Sequence, residues 1–316
     1  MHRIFAIITI SLIASTIVWS AWYASYSSAL ANLNEDAQRR LAQAVDQFEA
    51  QLSTARLLPT ILARNANIVS AAQSGFQNER LKTYLIRTQE LVGAETIRIY
   101  DTNGDQLFSS AAYADGQAHA AETSLTLARQ GALGSELLIF NRERRLTFAR
   151  SIIDADANFV GTVTVELALD KFDNAFSARP ETILFLNDTG QVILSNRASA
   201  ILTVVDTNQG QMTQLGVTRS FTKTQVGKTE LWGDVPIAGA PDVMLVVEQR
   251  LPRLSLRTVL LGNVDLARIQ ARKWAWFAIV ALAFLGAIGL AIQQRRKRLI
   301  TQLDACLLYT SDAADE

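Results

Sequence analysis

Thr96-Ile97-Arg98-Ile99-Tyr100-Asp101-Thr102-Asn103-Gly104-Asp105-Gln106-Leu107-Phe108 is two short runs of β-formers around a turn. A second such stretch begins 86 residues later. Thr182-Ile183-Leu184-Phe185-Leu186 enters Asn187-Asp188-Thr189-Gly190, and Gln191-Val192-Ile193-Leu194 leaves it. Asx and Gly residues between two apolar runs predict a hairpin in each place. The Gly104/Gly190 match is the best internal repeat in the chain. A period of about 90 residues is too long for a solenoid and predicts two small α+β domains.

Outward from each hairpin the pattern continues. The first half adds strands at Glu136–Phe140, Arg145–Ile152 and Phe159–Leu169. The second adds Val217–Thr222, Glu230–Val235 and Val243–Arg250. About five strands per half, with helices on one side, would bury one apolar face in each. Upstream, Leu30, Leu33, Ala37, Leu41, Val45, Phe48 and Leu52 step by three or four and predict one long helix over residues 27–57. Pro59 should end it. Further helices are expected over Thr60–Ala72 and Asn78–Leu91, the latter closed by Gly93.

Two apolar stretches bracket this region. Ile4–Ala24 has the length of a bilayer span, with Trp19, Trp22, Tyr23 and Tyr26 crowding its far end. Ala29-Leu30-Ala31 offers the competing reading of a signal-peptide cleavage site, but the apolar run exceeds a usual signal core. Trp274–Ile292 is the second span, followed by Arg295-Arg296-Lys297-Arg298. The basic cluster places that end in the cytoplasm, so residues from about 27 to 272 are expected outside it. Ala283, Ala287 and Ala291 form a small-residue stripe on one face of this span. The last eleven residues, Cys306–Glu316, read CLLYTSDAADE, which matches a transposase-type sequencing adapter translated in one frame. They are expected to be foreign to the protein, with the gene interrupted near Ala305.

Composition narrows function. Of 316 residues, 49% are hydrophobic, and 30 basic side chains balance 30 acidic ones. That balance gives no electrostatic footprint for nucleic acid. One cysteine and two histidines, His2 and His119, exclude a disulfide framework and a Cys/His zinc cluster. Asp101-x-Asn103-x-Asp105 imitates the start of a calcium loop. Its glycine comes at position four instead of six, and Ala112 stands where the twelfth-position Glu belongs, so a plain turn is expected. His119 has no cysteine partner and no Gly-rich phosphate loop is present, so no catalytic residues are assigned.

Binding has better support. The long segment Ser109–Ser135 carries Tyr113, His119 and Arg129. On the strand at 159–169, Gly161, Val163, Val165 and Leu167 share one face, and Thr162, Thr164 and Glu166 the other. Thr147 and Arg150 belong to the neighbouring strand. A polar sheet face under a long loop makes a small-molecule pocket, with Tyr113, His119, Arg129, Thr147, Arg150, Thr164 and Glu166 as candidates. The second half has short connections and reads as a coupling domain.

The fold class is therefore α+β. The domain layout is span (1–26), helical lead-in (27–93), distal module (94–180), proximal module (181–272), span (273–293) and the start of a cytoplasmic helix (294–305), with residues 306–316 set aside. This layout resembles the sensor half of transmembrane two-component histidine kinases with a double-Cache (tandem PAS-like) periplasmic domain. The four-carbon-dicarboxylate transport sensor kinases are the most similar group. The resembling pieces are Arg56-Leu57-Leu58-Pro59-Thr60-Ile61-Leu62-Ala63-Arg64, Asp101-Thr102-Asn103-Gly104, Asp154-Ala155-Asp156 before Val160–Val165, Thr182–Ser195, and Gln294–Leu299. The resemblance implies a bacterial inner-membrane sensor with a periplasmic ligand domain. It implies a homodimer through the long helix and a small-molecule ligand, an organic acid or another small metabolite. It also implies a response-regulator partner and a kinase core beyond the second span, which would use ATP and magnesium; no cofactor is expected in residues 1–305. Two departures bear on the ligand. Around Leu125–Gly131 only Arg129 remains of an expected Arg-Pro-Tyr element, and Glu166 stands where a lysine is usual. A carboxylate there would repel a dicarboxylate. The same sensor could feed a chemoreceptor or a cyclic-dinucleotide enzyme. A membrane-tethered envelope binding protein is the third reading.

Overall fold

The structure, a computed structural model, describes residues 2–75, 78–111 and 122–312. It divides into two units. One takes in the chain up to Leu33 and from Val264 onward, together with Val226–Thr229. The other takes in Asn34–Gln225 and Glu230–Asn263.

The first unit is built on two long helices. Helix α1 spans His2–Ala63, and α6 spans Asp265–Asp312. The stretch Asp265–Ile292 is long and apolar enough to cross a membrane. Trp276, Phe277, Phe284 and Leu285 are each more than half exposed on α6. In water such a surface would be costly, whereas in hydrocarbon it is matched. On α1, Trp22 stacks on Tyr26 with ring centroids 5.2 Å apart.

The second unit holds the remaining helices and all three sheets. Helix α1 runs through Pro59 without ending. A proline inside a helix costs about 3 kcal/mol, and here burial of Leu58 and Leu62 on either side offsets it. Helix α2 (Ala66–Ser74) therefore starts later than the sequence suggested, at an N-cap where the Asn65 side chain accepts from the Asn67 N–H. Helix α3 (Glu79–Val92) starts at Asn78 and stops at a left-handed Gly93.

The first sheet contains β1 (Thr96–Tyr100), β2 (Gln106–Ser109), β3 (Gly134–Phe140), β4 (Glu143–Ile153) and β5 (Phe159–Ala168). Its order is β2-β1-β5-β4-β3, with every neighbour antiparallel. Helix α4 (Glu122–Arg129) lies within the long segment before β3, and the one-turn α5 (Asp170–Asp173) follows β5.

The second half repeats the plan. Its strands are β6 (Thr182–Leu186), β7 (Val192–Ser195), β8 (Val204–Asp206), β9 (Gln211–Gln214), β10 (Val217–Ser220), β11 (Thr222–Val226), β12 (Thr229–Gly233), β13 (Val243–Leu251) and β14 (Leu256–Asn263). The main sheet runs β7-β6-β14-β13-β12-β11, so its first five strands retrace the distal order. The other three form a small sheet, β10-β9-β8. The run Val217–Thr222, expected as one strand, breaks at Phe221. Phe221 is buried against Trp232 (4.5 Å between centroids), and its N–H bonds the Gly210 carbonyl, which hands the chain from one sheet to the other.

The backs of both sheets share α1. Ala37, Leu41, Val45, Phe48, Leu52 and Ala55 form its buried stripe. Phe48 meets Phe185 of β6 at 4.7 Å and Phe172 at 5.8 Å. Where the halves join, Arg144 of β4 makes a bidentate pair with Asp173 (2.6 and 3.1 Å) and donates to the Ile193 carbonyl of β7 (2.8 Å). Asp173 also accepts from the Ser195 N–H at 3.2 Å. One buried guanidinium thus fastens the distal sheet, the linker turn and the proximal sheet together.

Candidate functional site

The hairpins that open each half use one device. Asp101 Oδ1 accepts the backbone N–H groups of Asn103, Gly104 and Asp105, each at 2.8 Å. Asn187 Oδ1 does the same for Thr189 (3.1 Å) and Gln191 (2.9 Å). Gly104 and Gly190 take φ of +99° and +79°, where a side chain is strained. The Asp101 carboxylate is occupied by its own turn.

From that turn, β1 sends alternate residues to opposite faces. Thr96, Arg98 and Tyr100 lie opposite Glu166, Thr164 and Thr162 of β5. Across the next ladder, Thr147, Ala149 and Ser151 of β4 lie opposite the same three residues. Glu136 and Gly134 of β3 lie beyond them. All of these share one face. The other face carries Ile97, Ile99, Phe148, Ile152, Val163 and Val165, all buried.

The polar face is buried as well. Arg98 is 6% exposed and Glu166 4%. They form an ion pair, and Arg145 approaches the second Glu166 oxygen at 3.6 Å. Burial pushes the Tyr100 phenol up from its ordinary value, while the Arg98 charge pulls the other way. Thr164 Oγ1 lies beside that phenol but makes no hydrogen bond of good geometry, and Thr147 Oγ1 has no partner either. A buried hydroxyl without a partner costs about 1–3 kcal/mol. These two lie beside the ion pair; a third, Thr258 Oγ1 of β14, is buried and unpartnered in the proximal sheet.

Helix α4 lies against this part of the sheet. Ser124 is fully buried, and its N–H donates to Glu136 Oε2 at 2.9 Å. Gly134 makes the approach possible, since a Cβ there would come within 2.0 Å of the Ser124 carbonyl oxygen.

The structure brings three of the expected residues together: Thr147, Thr164 and Glu166. Arg150 pairs with Val163 and lies on the opposite, apolar face. Arg129 is exposed on the last turn of α4, 6.0 Å over the Phe159 ring and against the Gly104 turn. Tyr113 and His119 lie outside the described residues. Arg98, Tyr100, Arg145 and Glu136 were missed. Their signal was present, because the alternation that grouped Thr162, Thr164 and Glu166 also sets Arg98 and Tyr100 apart from Ile97 and Ile99.

No protein-family model matches the chain, and no curated protein matches it in sequence. Solved structures do match. The sensor domain of the V. cholerae histidine kinase DctB is 18% identical with a TM-score of 0.59, covering 73% of this chain and 97% of that one. The ligand-binding domain of Campylobacter jejuni chemoreceptor Tlp3, solved with L-valine, is 13% identical (TM-score 0.52, covering 78% and 97%). That of Pseudomonas fluorescens chemoreceptor CtaA, solved with L-serine, is 15% identical (TM-score 0.51, covering 74% and 98%). The chain has the double-Cache fold of these sensor domains.

Proposed function

We propose that this chain is the sensory and membrane part of a bacterial receptor, with the double-Cache region in the periplasm and both termini in the cytoplasm. Its ligand is a small zwitterion, an amino acid foremost, bound on the polar face of the distal sheet. The observation that carries this reading is the buried Arg98–Glu166 pair beside two unpartnered hydroxyls. Such a pair is costly to bury on its own. An amino acid can enter it without a charge penalty. Its carboxylate takes the Arg98 guanidinium, its ammonium takes Glu166, and Thr147 and Thr164 gain partners. A dicarboxylate has nothing to give Glu166. Two neighbours of the same fold were solved with L-valine and L-serine.

Splitting the pair is also a signal. A ligand changes state populations only by binding two states unequally. Strain at β4 would pass through Arg144 and Asp173 to β7, and from the proximal half to the second span. The output we favour is a histidine kinase core, using ATP and magnesium, that phosphorylates a response regulator. The chemoreceptor output has a specific observation behind it, since Tlp3 and CtaA share the fold. Exposed Leu57 and Ile61 on α1 support a homodimer through that helix.

The test is thermal unfolding of the full chain in nanodiscs with single L-amino acids or succinate at equal ionic strength. At a hundredfold excess over Kd, a bound ligand stabilises by about 2.7 kcal/mol. At least one amino acid is expected to shift the transition, with Glu166→Gln removing the shift. If no amino acid does so, the zwitterion reading fails. Sequencing the gene across the Ala305 codon distinguishes the outputs.

A further inference from the structure

The face that is polar in the distal sheet is filled in the proximal one, except at its end. Leu184, Leu186, Val246, Val259 and Leu261 join Trp232, Met212 and Phe221 in one closed core. Past that core the same face carries Arg250 of β13 directly opposite Arg257 of β14. These two occupy the places of Ser151 and Thr162 in the distal sheet. Like charges directly opposite on a ladder repel.

Arg257 is partly compensated. Its Nη1 donates to Thr207 Oγ1 at 3.2 Å and lies 3.6 Å from Glu248. Among the described residues no carboxylate lies within ion-pair distance of Arg250. Both arginines line an open cleft of about 710 Å³, whose other walls include the Asn187–Gly190 turn and Val204–Asn208. Two acids also line it. Asp206 accepts the N–H groups of Asn208 and Gln209 with one oxygen, and Asp188 is exposed in the turn. Neither neutralises the arginine pair.

We propose that this cleft is a second ligand site, for a compact dianion chelated between Arg250 and Arg257. Two guanidiniums across one ladder offer parallel N–H pairs, which suit the oxygens of a phosphate or of a small dicarboxylate. The anion would cancel the repulsion of the pair and bridge the two longest strands of the proximal half. The site lies apart from the distal pocket and does not depend on what binds there.

The experiment is thermal unfolding and calorimetry of the full chain in nanodiscs, with inorganic phosphate in one arm and malonate in the other. Sodium chloride at equal ionic strength is the control. Saturable stabilisation by at least one probe, at one site per chain, is expected; which arm responds distinguishes the two sources. Arg250→Gln should raise the half-saturation concentration at least tenfold. Lys82→Gln, which removes a surface cation on α3, should leave it unchanged. Arg250→Glu supplies Arg257 with an internal acid, so it should raise the melting temperature and abolish the anion response. Arg250 is exposed, so neither of its variants threatens folding. If neither probe exceeds the chloride control, or if Arg250→Gln saturates like the parent chain, the proposal is overturned.

Discussion

At corresponding places in their sheets, the distal half carries Arg98, Tyr100, Thr162, Thr164 and Glu166, and the proximal half carries Leu184, Leu186, Arg257, Val259 and Leu261. The strand order, the opening turn and the shared helix are the same in both. What differs is the polarity of the buried face. The proximal face is a closed apolar core whose members are nearly all below a tenth exposed. Its stability comes from burial, at about 25 cal/mol per Å² of apolar surface. The distal face is equally buried but holds an ion pair and two unpartnered hydroxyls, which cost stability unless a ligand completes them. One duplicated fold thus yields a proximal face filled mostly by its own apolar side chains and a distal face whose buried groups are polar.

The strongest way to break this comparison is to write distal chemistry onto the proximal face. Leu184→Arg places a charge at the position of Arg98, with Leu261 where Glu166 would answer it. An unpaired charge in a closed core is expected to cost more than about 4 kcal/mol, enough to unfold the proximal half. Adding Leu261→Glu should recover part of that loss. Urea unfolding followed by the fluorescence of Trp232 checks both. A loss under 1 kcal/mol for the single variant would show that the two faces are not equivalent.

The reverse exchange is the next largest. Arg98→Leu or Glu166→Leu alone breaks the buried pair, at a cost of up to about 3–5 kcal/mol, and less for Arg98→Leu because Arg145 still stands 3.6 Å from Glu166. The double variant copies Leu184 and Leu261 and should cost far less than the sum, because the pair is removed whole. It should also lose its response to every amino acid while still folding. If the double variant still responds, the ion pair is not the binding element and the distal site must be sought elsewhere on the face.

This contrast explains how far the sequence could be read. The repeat of Gly104 at Gly190 announced two matching hairpins, and the strand orders around them match. Alternation grouped Thr162, Thr164 and Glu166 because period two is local and needs no knowledge of neighbours. Within β4 it separates Thr147 from Arg150, but which of the two shares a face with Glu166 depends on register. Arg150 was therefore grouped with them although it pairs with Val163. Arg98 escaped notice because an isolated arginine between isoleucines looks like an edge-strand residue until Glu166 is placed across from it. Strand β14 escaped for another reason. Leu256–Asn263 is an apolar run close to a membrane segment, and the left-handed Ser255 that turns the chain into it carries no glycine signal. Pro59 misled because buried leucines on both sides outweigh one lost hydrogen bond.

The smallest expected effect concerns the turns. Both halves use an Asx oxygen to collect backbone N–H groups, but Asp101 titrates and Asn187 does not. Burial alone would raise the Asp101 carboxyl. The N–H groups of Asp105, Asn103 and Gly104 outweigh it and hold the group below its ordinary value of 3.8. A carboxyl depressed in the folded state adds stability above the unfolded value, and that stability is lost as the pH falls through it toward the folded one. Below about pH 4 the distal hairpin should therefore open before the proximal one, read as faster amide exchange at Asn103–Asp105 than at Thr189–Gln191. Asp101→Asn gives the distal turn the proximal chemistry and should make the two acid responses coincide. If the wild-type turns already respond alike, the difference between the halves is confined to the sheet face and does not extend to the turns that open them.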